Sequence, residues 1–119
     1  MICRYCKCGA CRRYSFTALN IHHNNSERAG PYFQAIFDVL KPGGMVAVID
    51  HIGIEGMENG MMHRMLKSDA RAWIENSGLE IVEDSDLLRT SADDHSRSIS
   101  DPIYARDVDR FIFVARKPG

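Results

Sequence analysis

At 119 residues the chain has room for one domain. Its 45% apolar and 26% charged content matches soluble globular proteins and excludes a disordered, collagenous or coiled-coil polypeptide. Fifteen basic against sixteen acidic residues leave a net charge of −1, so bulk electrostatics offers no footprint for nucleic acid or an anionic membrane. No apolar run approaches the roughly 20 residues that a membrane helix needs. The start, Met-Ile-Cys-Arg-Tyr, lacks an apolar signal core, and the expected location is the cytoplasm.

The four cysteines all fall within the first eleven residues, at Cys3, Cys6, Cys8 and Cys11. Bridges inside so short a stretch would close only tiny loops, which argues against a disulfide framework. The run contains two Cys-x2-Cys pairs of the kind that grip zinc or copper(I). A mononuclear zinc site wants a longer loop between its pairs, and here Lys7 alone separates them. Iron–sulfur runs use other intervals. Residues 1–12 therefore read as a Cys-rich segment without an assigned metal, its thiols the candidate ligands.

Tyr14 to Ile21 is aromatic, β-branched and apolar, and runs into the polar His22-His23-Asn24-Asn25, as a strand entering a loop. Pro31 suits the first turn of a helix, on which Phe33, Ile36, Phe37 and Leu40 form one apolar face. Lys41-Pro42-Gly43-Gly44 should stop that helix. Met45 to Ile49 is apolar on both faces, as in a central strand covered by helices, and ends at Asp50-His51. A Gly- and Met-rich connection runs from Ile52 to Lys67; its methionines read as gap-filling core more readily than as a substrate wall.

Ser68 is a fitting N-cap for a second helix, with Asp69 in its first turn, a stripe of Ala70, Trp73 and Ile74, and Gly78 beyond its end. Trp73 reads as core packing. Leu79 to Glu83 alternates like a strand with one wetter face. Residues 85–107 are long and polar for a connection, so Asp93, Asp94 and Arg97 read equally as a lid or as solvated charges. Phe111 to Ala115 closes the chain as a buried strand. The order is α/β, three-layer, with a mostly parallel sheet.

Three of these features coincide in a known pattern. A helix ends in Leu40-Lys41-Pro42-Gly43-Gly44 before the apolar strand MVAVID. A later helix ends in Asn76-Ser77-Gly78-Leu79-Glu80 before a strand, and a last strand returns as a hairpin partner. Over residues 13–118 the chain resembles the C-terminal half, the last four strands, of the Rossmann-like class I S-adenosylmethionine-dependent methyltransferases. His63-Arg64, Ser85 to Arg89, Asp93-Asp94, Asp101-Pro102 and Asp109-Arg110-Phe111 resemble a bacterial branch of that family. The expected organisation is a Cys-rich segment at 1–12 and a half-domain at 13–119.

The resemblance implies methyl transfer from S-adenosylmethionine to an acceptor in complete relatives. It also implies a Gly-rich loop and a ribose-binding acid, for which this sequence has no counterpart. The isolated chain is therefore expected to bind the cofactor weakly or not at all and to be inactive. By the family's pattern, Asn20, His22 and His23 after one strand, with Asp50 and His51 at the end of the next, would line a cofactor or substrate edge. His63, Arg64, Asp94 and Arg97 join them as lining candidates, and a small-molecule substrate as the expected partner. Read from spacing, the histidines have no His-x-x-x-His or other ligand interval. With its inner neighbour absent, the strand at 14–21 should become an open edge that pairs two copies. The other function class is a non-catalytic binding or assembly module.

Overall fold

The computed structural model describes residues 13–19, 21–23 and 26–119. The cysteines and Asn20 lie outside the described residues. The strands are β1 (Arg13–Leu19), β2 (Leu40–Gly53), β3 (Met65–Leu66), β4 (Glu80–Ser85) and β5 (Arg110–Arg116); the helices are α1 (Ser26–Val39) and α2 (Lys67–Asn76). Short 3-10 turns sit at Ile21–His23 and Pro102–Tyr104. None of the described helices is long and apolar enough to cross a membrane.

The main sheet runs β1-β2-β5-β4, with the two-residue β3 paired to β2 off this path. β1 and β2 are parallel, and β5 inserts antiparallel between β2 and β4. Three of the four long strands thus point one way. The α/β class, the mostly parallel direction and the returning last strand stand as read.

Alternation along the strands explains the packing. Ala18, Val46, Val48, Phe111, Phe113 and Ala115 are buried together with Phe33 and Ile36 of α1 and Ala70 and Ile74 of α2. Trp73 packs against the edge of that core. Both helices therefore cover the same face, and the described residues supply two of the three expected layers. On the other face Ala47, Ile49, Ile112 and Val114 are half-buried, while Leu19 and Met45 are 56% and 39% exposed.

Several boundaries differ from the sequence pattern. α1 starts at Ser26, so Pro31 lies inside it rather than in its first turn, at the loss of one backbone donor. α2 begins one residue before Ser68, and Leu66 caps it without a side-chain bond. Gly78, at φ +97, does follow its end. Lys41-Pro42-Gly43-Gly44 ends α1 but is absorbed into β2, because tertiary pairing holds it extended. Gly43 N donates to Lys117 O at 2.7 Å and Lys117 N to Gly44 O at 2.8 Å, with Gly43 at φ +82 taking the local kink. The β1·β2 register jumps there, from Arg13↔Leu40 to Ser15↔Met45. Among the methionines Met65 is core, whereas Met57 and Met61 are exposed; they make no core, contrary to the gap-filling expectation.

Candidate functional site

β1 stops at Leu19, which pairs with Ile49. β2 continues past that point, and the chain after β1 forms the 3-10 turn Ile21–His23. This turn lowers His22 onto Asp50. The two residues are 28 apart in sequence but neighbours at the carboxyl ends of adjacent parallel strands, where α/β sheets place their ligands.

Asp50 falls on the buried alternation of β2, in step with Val46, Val48 and Ile52, and its side chain is fully buried. A lone carboxylate there would be costly, so its oxygens are paired. Oδ2 accepts from His22 N at 2.7 Å. Oδ1 accepts from His51 N at 2.7 Å and meets His22 Nδ1 at 2.7 Å. Burial on its own pushes the carboxyl pKa up; the His51 and His22 rings and the His51 N–H outweigh it and hold Asp50 below the ordinary value. An ionised Asp50 makes His22 Nδ1 the donor and leaves the lone pair of a neutral His22 ring on Nε2.

Two more imidazoles close on this pair. His51 Nδ1 lies 3.6 Å from Asp50 Oδ1, beyond hydrogen-bond reach, and is a buried atom with no hydrogen-bond partner. The His22 and His51 ring centres are 6.2 Å apart, and His63 stands edge-on to His22 at 5.5 Å. His63 takes φ +57, a left-handed backbone that ordinary residues seldom adopt. The chain after β2 bends early: the space a side chain at Gly53 would need is filled by the Asn59 side chain, whose Nδ2 donates to Ile54 O at 2.9 Å. That bend brings the exposed His63 back over the strand ends. His22, Asp50 and His51 offer three donor atoms, all within 4.8 Å of one another.

The remaining candidates fall elsewhere. His23 continues the 3-10 turn. Arg64 is fully buried beneath the 85–107 connection, and its bonds are internal. It grips both oxygens of Asp93 at 2.7 and 2.8 Å and donates to Ile52 O at 2.8 Å and Arg97 O at 3.0 Å. The Asp93 oxygens also accept from His95 N and Asp109 N. Asp109 in turn takes Arg89 Nε, Thr90 N and His95 Nε2 at 2.8 to 3.0 Å. Asp94 accepts from Tyr104 Oη at 2.6 Å and from Ser96, and exposed Arg97 pairs loosely with Asp101 at 3.5 Å. The long connection is thus fastened rather than lid-like.

The buried Arg64–Asp93 ion pair, with the Asp109 backbone N–H donating to Asp93, escaped the sequence reading. The signal that could have found it is an arginine within a connection rich in acidic residues, since a chain of this size leaves little unpaired charge inside.

No family model matches the sequence, and no curated protein matches it. Solved structures do match in fold. The [4+2]-cyclase SpnF aligns at TM-score 0.64 and 21% identity, over 91% of this chain and 50% of that one. N-methyltransferase NodS from Bradyrhizobium japonicum aligns at TM-score 0.61 and 13% identity, over 92% and 53%. A TehB-like SAM-dependent methyltransferase from Corynebacterium glutamicum aligns at TM-score 0.59 and 14% identity, over 89% and 48%. The chain spans about half the length of these structures.

Proposed function

We propose that this chain, which has the fold of half a class I S-adenosylmethionine-dependent methyltransferase, forms the acceptor-facing side of a methyl-transfer site. The observation that carries the reading is the assembly of His22, Asp50, His51 and His63, from three separate segments, at the carboxyl edge of β1 and β2. His51 and His63 are its outer members, and buried Asp50 orients His22 behind them. Such an edge holds and orients a small polar acceptor; alignment of the reacting atoms is the greater part of what methyl transfer asks of a protein.

The same residues do not build a cradle for the cofactor. Among the described residues no strand opens into a G-x-G turn: β2 leads into a connection with glycines at 53, 56 and 60, where the space at Gly53 is taken by Asn59, and Gly43 lies within β2 against Lys117. No cofactor-dependent step is assigned to these side chains. One neighbour in fold is named as a cyclase, so fold by itself does not choose the reaction.

The test is a titration followed through the histidine ring signals. S-adenosylmethionine or S-adenosylhomocysteine should bind no better than about millimolar, as expected where backbone donors are missing. A panel of phenols, amines and carboxylates should contain a class that shifts His51 and His63. A micromolar cofactor affinity would overturn the division of labour, and silence across the panel would overturn the acceptor role.

A second reading, an assembly module, draws on different residues. β1 is a terminal strand of the sheet, and the apolar face beside it exposes Leu19 and Met45. Pairing two β1 edges across a two-fold axis would continue the sheet and make a homodimer. Light scattering at micromolar concentration should then give a dimer mass that falls to the monomer in Thr17→Pro; a wild-type monomer sinks this reading.

A further inference from the structure

We propose that His22, Asp50 and His51 form a binding site for a divalent transition-metal ion of the zinc class. Two imidazoles and one carboxylate are a donor set such ions take in three-ligand sites that leave a further position open. The three donor atoms already lie within 4.8 Å of one another. With metal–ligand bonds of about 2.0–2.2 Å, tetrahedral ligands stand about 3.4 Å apart. Asp50 Oδ1 lies 2.7 Å from His22 Nδ1 and 3.6 Å from His51 Nδ1, and the two distances bracket that spacing. Closing the set needs only side-chain rotation, chiefly of His51, whose side chain is 20% exposed.

Two further observations separate this cluster from a satisfied core histidine. His51 Nδ1 is buried without a hydrogen-bond partner, an unsatisfied state that a metal would relieve. The carboxylate is also held for the purpose: the backbone N–H groups of His22 and His51 both bond Asp50, the arrangement that orients metal ligands from behind. Binding through His22 Nδ1 would release its proton to solvent. Arg64 spends its charge on Asp93, and the ion-pair partners of Asp50 are His22 and His51. The inference goes beyond the methyl-transfer reading and does not rest on it.

The experiment uses the full chain with Cys3, Cys6, Cys8 and Cys11 replaced by serine, so that no thiolate can account for bound metal. Zn2+ is titrated in competition with a chromogenic chelator, and Co2+ is added as a spectroscopic probe. One equivalent should bind at micromolar or tighter affinity, with visible Co2+ bands of tetrahedral intensity. His51→Ala should weaken Zn2+ by about 100-fold or more, at least what loss of an orienting partner costs. As a control free of folding effects, the ring 15N signals of unsubstituted His22 and His51 should shift with Zn2+. No binding at micromolar Zn2+, an unchanged affinity in His51→Ala, or unmoved ring signals would each overturn the site. None of these results would touch the acceptor reading, which is judged by organic ligands.

Discussion

Two clusters in this small molecule are each built round buried aspartate, and they end in opposite states. Asp93 and Asp109 are saturated: Arg64, Arg89, His95 and three backbone N–H groups meet their oxygens. Asp50 is equally buried, but the cluster round it keeps a buried ring nitrogen, His51 Nδ1, with no hydrogen-bond partner. A saturated network has nothing left to offer a ligand, and so it fastens the chain. An incomplete one at the carboxyl edge of parallel strands keeps binding capacity in reserve.

The sharpest way to break the contrast is Arg64→Ala. It strands Asp93 as a buried carboxylate and should cost about 3–5 kcal/mol, read from the midpoint of urea unfolding. A loss under about 1 kcal/mol would mean that the clamp is relaxed in solution.

Acid should loosen the same clamp in a graded way. Burial alone would raise Asp93 and Asp109; the Arg64 side chain with the Asp109 and His95 N–H groups, and the Arg89 and His95 side chains with Thr90 N–H, outweigh it and hold both carboxyls below their ordinary value. A carboxylate whose pKa is depressed by folding stabilises the fold above its unfolded pKa, about 3.9, and loses that contribution as pH falls through the folded value. Stability against urea should therefore decline with pH below about 4. The fall should be shallower in Asp93→Asn, because that variant has one fewer such group; an equally steep fall would place the acid sensitivity elsewhere.

The smallest effect belongs to the open cluster. His51→Ala removes a ring nitrogen that bonds nothing, and its stability should stay within about 1 kcal/mol of wild type in metal-free buffer. A larger loss in urea unfolding would mark His51 as a packing residue and erase the distinction between the clusters.

Much of the frame was legible in the residues. The apolar spacing of Phe33, Ile36, Ala70 and Ile74, the glycine at 78 and the alternation of Phe111, Phe113 and Ala115 all act through nearest neighbours along the chain. Local physics of this kind is written in the sequence itself. The extended run at Lys41–Gly44 was not, since two bonds to the far terminus override a turn-forming tetrapeptide.

The candidate site divides along the same line. The sequence by itself set the histidines and Asp50 near strand ends, because a polar residue after an apolar run marks where a strand leaves the core. It contained no ligand spacing, and none exists along the chain: His22 and Asp50 stand 28 residues apart. Only tertiary structure made them partners, when parallel pairing of β1 with β2 fixed a register that ends at Leu19↔Ile49 and dropped the next turn onto the next buried position. Pairing of Met65 with Ile52 in turn sets Arg64, adjacent in sequence to His63, onto Ile52 O and Asp93. Sequence distance governs helices and turns; pairing register governs which side chains share a charge, and register is a property of the folded sheet alone.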